Sequence, residues 1–322
     1  MESCFLELKT LIDGFRLSCL KDGKSPKTVE FYLTFLNKFR QFLETRQFST
    51  DLGETGKDRV REFIRFMQTE AKNPRNGMPL AGATVQGCVR TLKAFISWAV
   101  REEYITSDHF GKIPIPKAKS KIINPFSLEQ VKQMLNLCQA SQGKRLRNLS
   151  LFLILLDSGL RISELVNIDL DDVNPEEGSI KIRVSKGGRE RIVPIGSLVQ
   201  KVLWKYIHSG RPKPLTQQIN RLFLTDKGTP LTINGVQQLI HRCGKKAGIT
   251  STRVSAHTFR HTFARNYILN GGDIFSLQKI LGHSSLASVK IYLNLYATDV
   301  KKQHVRFSPV DKLAPTLTGY RL

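Results

Sequence analysis

The chain has 322 residues and is 40% hydrophobic, enough to bury a sizeable core and fill two domains, which excludes a disorder-dominated protein. Its 50 basic and 27 acidic residues leave a net charge of +23, which points to a polyanionic partner before any motif is considered. The richest apolar run, 149–156, is too short to span a bilayer, and the start MESCFLELKT lacks a basic region followed by an apolar one, so no membrane partner and a cytoplasmic location are expected.

Residues 1–20 place Phe5, Leu8, Leu11, Ile12, Phe15 and Cys19 at intervals of three and four, the pattern of an amphipathic helix. Ser25-Pro26 opens a second helix, with serine as N-cap and proline in the first turn; Val29, Tyr32, Leu36, Phe39 and Leu43 form its stripe. A third is expected over 57–70 on Val60, Phe63, Ile64 and Met67. A fourth spans 84–104, with Val85, Cys88, Val89, Leu92, Phe95, Ile96 and Ala99 inward. These make a small helical domain over 1–110. Residues 111–124 then read as an extended linker, since 107–124 has two prolines and several lysines but no helical stripe.

The second domain, 125–322, holds most of the charge. Residues 1–113 carry 18 basic and 14 acidic side chains, a net +4, and the rest carry 32 and 13, a net +19. Ser127 with Gln130 three residues on makes a capping box, and Val131, Met134 and Leu135 form the buried side of the helix behind it. Residues 148–158 are apolar on nearly every side, a buried helix that Gly159 stops. Residues 180–184 and 191–195 alternate apolar and basic side chains around Ser185-Lys186-Gly187-Gly188, which predicts a hairpin with Lys186 at its turn. A short strand over 222–225 is expected to join that sheet. Helices follow at 198–209, 233–247, 257–270, 274–281 and 286–293. The fold class is therefore mainly α with a small antiparallel β-sheet, a four-helix domain preceding an α+β domain. The five cysteines, Cys4, Cys19, Cys88, Cys138 and Cys243, stand singly, which argues against a zinc site or a disulfide framework.

Chemistry concentrates in residues 254–294, where His257, Arg260, His283 and Tyr292 fall within one helical region. His257 and Arg260 are three residues apart and share a helix face, so both can reach one anion. A guanidinium presents a planar fork that matches phosphate oxygens, and an imidazole near its neutral-pH pKa can donate or shuttle a proton. His283 interrupts two helices, and Tyr292, nine residues later, could attack the same phosphorus. No cluster with metal-ligand spacing accompanies them, so neither a metal nor any other cofactor is expected.

HTFRHTFA at 257–264, LGHSS at 281–285 and KIYLN at 290–294, in this order and spacing, resemble the signature of tyrosine site-specific recombinases, the phage-type integrases, in an Xer-like two-domain layout. SGLRISELVNIDLDDV at 158–173 is similar to the family's first arginine box, with Arg161 in the catalytic place and Glu164 in the accompanying acidic place. The resemblance implies a catalytic set of Arg161, Lys186, His257, Arg260, His283 and Tyr292. It makes Tyr292 the nucleophile, Lys186 the donor to the departing 5′ oxygen and His257 the base. It implies a 3′-phosphotyrosine intermediate, reached without metal or ATP, in a homo-tetramer on double-stranded DNA with inverted-repeat sites, working through a Holliday junction. The first domain becomes a SAM-like core-binding domain that closes a clamp around DNA. No further small domain is expected ahead of it.

Taken singly, an arginine after a helix end is usually an ion-pair partner and a lone histidine a satisfied polar group; six such residues in order argue against that reading. His261, His208, His241, His109 and His304 are assigned no chemistry, Tyr296 is the weaker rival nucleophile, and Glu164 is expected to orient a neighbouring arginine or helix. Two other functions compete: a DNA-binding protein with a vestigial site, and a type IB topoisomerase that works without synapsis. The intact set weighs against the first, and LGHSS with the two-domain layout against the second. Beyond Tyr292, helical spacing continues to about Phe307; this segment either folds back on its own domain or docks on a neighbouring subunit, as C-terminal segments do in the recombinases it resembles, and docking is the favoured expectation. The target sequence and the biological role, resolution or mobile-element movement, stay open.

Overall fold

The apolar stripes of the first hundred residues become four helices: α1 (Leu8–Lys21), α2 (Pro26–Thr45), α3 (Lys57–Thr69) and α4 (Gly82–Arg101). The computed structural model describes residues 7–74, 76–105, 113–116, 123–137, 142–183, 190–283, 285–286, 289, 301 and 304–308. The chain divides into two compact units, Met1–Lys121 and Ile122–Leu322. In the first, the Ser25 hydroxyl accepts the Thr28 amide at 3.1 Å while Pro26 occupies the first turn of α2. Phe15 meets Phe95 edge-on at 5.5 Å, and Phe39 meets Phe63 at 5.0 Å, in a shared aromatic core. Helix α4 closes at Arg101, earlier than the expected 104, because Glu103 turns left-handed at φ 60° and Tyr104 folds its amide back to the Ala99 carbonyl. Ile113, within the expected linker, is buried in this core.

The second unit contains α5 (Leu128–Asn136), α6 (Gln142–Ser158), α7 (Ile162–Val166), β1 (Val173–Asn174), β2 (Ser179–Ile182), β3 (Arg191–Pro194), α8 (Ser197–Lys205), α9 (Ile233–Lys246), α10 (Ala256–Leu269) and α11 (Ile274–Leu281). Both halves of the Ser127–Gln130 capping box form, at 3.0 and 3.2 Å. Helix α6 starts at Gln142 rather than 148, since its opening turns are polar and show no stripe. Its buried length is the spine of the unit: Phe152 stacks on Phe259 of α10 at 5.4 Å, and Phe126 meets the same ring at 5.0 Å.

The antiparallel sheet has the order β1-β2-β3, with Ile180 opposite Val193 and Ile182 opposite Arg191. Its third strand is Val173–Asn174, which corrects the expectation for 222–225. That segment instead divides its backbone between neighbouring loops and side chains: the Leu222 amide donates to the Ile168 carbonyl, the Thr225 amide to the Thr229 carbonyl, and the Phe223 carbonyl accepts from the Leu231 amide. The Leu222 carbonyl accepts from Tyr206 and Arg211, the Leu224 carbonyl accepts from Arg147, and the Leu224 amide donates to Tyr206. The pairing amounts to isolated bridges, Leu224 with Pro230 and, one residue before the segment, Arg221 with Asp169, and not to a ladder with the sheet. The expected helix over 198–209 is α8 followed by a wider π-type turn, Tyr206–Gly210, which seats the Tyr206 ring in the core against Phe223. Residues 184–189, with the hairpin turn, and most of the expected helix over 286–293 lie outside the described residues. Among the described residues no helix is long and apolar enough to cross a membrane.

Candidate active site

Gly159 ends α6 with φ +59°, and a Cβ at that point would stand 2.5 Å from Phe263 and 2.9 Å from Leu281, so the turn accepts only glycine without displacing its neighbours. The chain that leaves it places Arg161 at the N-cap of α7. The Arg161 amide and its Nη1 donate to opposite oxygens of Glu164 at 2.8 and 2.9 Å. Arg191 at the start of β3 takes the same carboxylate with Nη1 and Nη2, at 3.1 and 2.9 Å. Glu164 is 0% exposed and Arg161 is 41% exposed. One guanidinium is thus anchored at its Glu164 end and open to solvent elsewhere, as anion recognition requires.

Helix α10 is capped by Ser255, whose hydroxyl accepts the Thr258 amide at 3.3 Å, and His257 and Arg260 follow within its first turns. Arg260 is buried at 2% exposure. It crosses between distant segments, donating Nη1 to the Gly159 carbonyl at 2.8 Å and Nη2 to the Leu281 carbonyl at 2.8 Å. The same Nη2 lies 2.7 Å from His283 Nε2. A guanidinium can only donate, so His283 Nε2 accepts and the neutral ring carries its hydrogen on Nδ1. The His283 backbone is held from both directions, its amide by the Gln278 carbonyl at 3.1 Å and its carbonyl by the Gln278 amide nitrogen at 3.0 Å. It follows Gly282, which closes α11 at φ 65°.

Electrostatics agree with a neutral imidazole set in a cationic pocket. Burial, with Arg260, Arg161 and Arg191 around it, pushes His283 down to about 4, against an opposing pull from Glu164. Burial also lowers His257, aided by Arg260, Arg253 and Arg161. Burial raises Glu164, but hydrogen bonds from Arg191 and Arg161 outweigh it and hold the carboxyl below its ordinary range. His261 lies with its Nε2 3.2 Å from His257 Nε2, so the pair shares one hydrogen, and burial beside His257 and Arg260 pushes it down to about 4.

Of the six residues expected to carry the chemistry, the structure draws Arg161, Arg260 and His283 into one linked cluster, with His257 a turn before Arg260. Lys186 and Tyr292 lie outside the described residues. Sequence reasoning missed Arg191, the second arginine on Glu164, and His261, the partner of His257. Among the described residues, no group of three or more histidine, cysteine, aspartate or glutamate side chains could hold a metal ion.

A helical N-terminal unit followed by helices around a three-stranded antiparallel sheet, with arginines and histidines gathered from α7, α10 and the end of α11, defines an integrase-type enzyme. Residues 125–299 match the phage integrase family and residues 10–119 the phage integrase SAM-like domain. A tyrosine recombinase XerD from Staphylococcus haemolyticus is 27% identical over 304 residues, covering 94% of this chain and 99% of that protein. A tyrosine recombinase XerC from Halalkalibacterium halodurans is 32% identical over 292 residues, covering 89% and 91%. The crystal structure of the XerH site-specific recombinase bound to a palindromic difH substrate superposes with a TM-score of 0.70 at 22% identity, covering 90% of this chain and 81% of that one. The chain belongs to the phage integrase family and is a tyrosine site-specific recombinase.

Proposed function

We propose that the chain cleaves and rejoins DNA strands through a 3′-phosphotyrosine at Tyr292, with Arg161, Lys186, His257, Arg260 and His283 as the remaining catalytic residues. The Tyr292 oxygen bonds to the scissile phosphorus as the bond to the 5′ oxygen breaks. His257 takes the phenolic proton, a role supported by burial and nearby arginines keeping its imidazole neutral. Lys186 supplies a proton to the departing oxygen. Arg161 and Arg260, with hydrogen bonds from the two histidines, stabilise charge on the non-bridging oxygens, and loss of one such donor lowers the rate by about 100 to 1,000-fold. A 5′ hydroxyl from the exchanging strand then reverses the step and frees Tyr292. The phosphodiester bond energy is conserved in the intermediate, so neither ATP nor a metal enters the balance.

The observation that carries this reading is Arg260, buried at 2% exposure and bonded to Gly159, Leu281 and His283, a fixed cation beside the Arg161–Glu164 pair. The partner is double-stranded DNA with an inverted-repeat site, as in the palindromic complex of the structural neighbour, and the net charge of +23 supports it. Residues 1–110 act as the core-binding domain, 111–124 as the linker and 125–322 as the catalytic domain. Four copies act on two duplexes through a Holliday junction, each docking its C-terminal segment on a neighbour; Val305 and Phe307, 64% and 48% exposed, offer the apolar side for it.

A nicked suicide duplex tests the reading. Incubation in excess EDTA should yield a covalent protein–DNA adduct on a denaturing gel, and binding should weaken steeply with salt. A second labelled duplex should receive the cleaved strand. No adduct would indicate a DNA-binding protein without catalysis, and adduct without transfer between duplexes a topoisomerase-like enzyme.

A further inference from the structure

Arg191 spends three donors inward. Its Nε donates to the Ile280 carbonyl at 2.9 Å, and Nη1 and Nη2 to the two oxygens of Glu164 at 3.1 and 2.9 Å. The side chain is 15% exposed and the carboxylate that it grips is 0% exposed. Glu164 also accepts from the Arg161 amide and Nη1. A carboxylate offers about four acceptor sites, so two arginines saturate this one and neither can move without disturbing the other. On its far side the Arg191 guanidinium packs against Gly282, where an added Cβ would fall 2.9 Å from Cζ. Gly282 precedes His283, and the next carbonyl after Ile280, that of Leu281, is the one that holds Arg260.

We propose that Arg191 is a positioning residue for strand cleavage: bridging Glu164 and the C-terminal end of α11, it fixes Arg161 and His283 relative to each other and ties both to the β2–β3 hairpin. The inference rests on the reading of Arg161 and His283 as phosphate-binding residues. Arg161 is half exposed and anchored at one end, so its aim depends on Glu164 staying in place. His283 follows a glycine at φ 65°, and the Arg191 contact limits the freedom such a backbone has. Lysine is a point charge without a planar fork and cannot reproduce a bridge to three acceptors.

The test uses the full-length protein with a nicked suicide duplex, measuring site binding, melting temperature and single-turnover adduct formation separately. Arg191→Ala is expected to bind within about threefold of the parent and to form adduct roughly 100-fold more slowly. Millimolar guanidinium ion should restore at least about tenfold of that rate, whereas Arg191→Lys should stay slow. Because Arg191→Ala leaves a buried carboxylate short of partners, the double variant Glu164→Met with Arg191→Met serves as the second probe. It should recover melting temperature and still cleave roughly 100-fold slowly. Adduct formation at the parental rate in Arg191→Ala, or a rate that recovers with stability in the double variant, would overturn the inference. Arg161→Ala and Tyr292→Phe run alongside: if they retain adduct formation, the reading of the site itself fails, and if they lose it while Arg191→Ala keeps it, only the role of Arg191 fails.

Discussion

Glu164→Gln removes one oxygen and one negative charge from a carboxylate that accepts four hydrogen bonds from two arginines. The amide NH2 then faces guanidinium or backbone N–H groups, donor against donor, and two bonds are lost. Removing one partner of a buried ion pair costs about 3 to 5 kcal/mol. Arg161 is 41% exposed and Arg191 15%, so both regain some water, and the lower end, about 3 kcal/mol, applies here. For a unit the size of Ile122–Leu322 this lowers the melting temperature by roughly 6 to 12 °C. The sign with pH follows from the lowered carboxyl pKa, which Arg191 and Arg161 hold down against burial. A depressed folded-state value stabilises above the ordinary glutamate value of about 4.3 and is lost as pH falls through the lowered one. Calorimetry should therefore find the full gap between parent and variant at pH 7 and a narrowing gap only below about pH 4. A gap under about 2 °C at pH 7, or one unchanged in acid, would refute the reasoning.

Gly159→Ala should destabilise the second unit and slow adduct formation together, because strain at φ +59° and the 2.5 Å approach to Phe263 displace the carbonyl that holds Arg260; wild-type melting and cleavage in this variant would contradict that. His261, pushed down from 6.5 to about 4, destabilises the folded chain as pH falls through that window. His261→Phe should therefore flatten the loss of melting temperature between those values, and an unchanged slope would rule the pair out as its source. Truncation after Thr298 should leave monomer folding and single-site binding intact while impairing cooperative occupation of paired sites and strand exchange. Loss of the monomer's cooperative melting would instead mean that the segment packs on its own domain, where Arg306 already reaches the Leu269 carbonyl at 3.3 Å.

Helices with a clean apolar stripe were legible because burial follows the period of the backbone, as in α2 and α3, where Phe39 and Phe63 are 0% exposed. The polar opening of α6 was not, since Lys144 and Arg145 are exposed and Arg147 turns to the Leu224 carbonyl, which leaves no apolar period to read. Residues 222–225 read as a strand because Leu222, Phe223 and Leu224 form a short apolar run that is fully buried, whereas joining the sheet depends on which groups claim the backbone, and those were Tyr206, Arg147 and Arg211 together with the backbone of Ile168, Thr229 and Leu231. In the site, Arg260 and His257 were legible from spacing on one helix. Arg191 was not, because its meaning lies in Glu164, 27 residues away, and in a carbonyl 89 residues away. His261 sat one turn from His257 at helical spacing, a signal present in the sequence but shared with any surface histidine.

The central claim is that Tyr292 carries the DNA strand. Protease digestion of the suicide-substrate adduct, followed by mass mapping of the nucleotide-bearing peptide, reads the linked residue directly. A 3′-phosphate esterified to Tyr292 is expected, with no adduct from Tyr292→Phe at near-normal DNA binding; linkage to Tyr296, or an adduct that persists in Tyr292→Phe, would contradict this assignment.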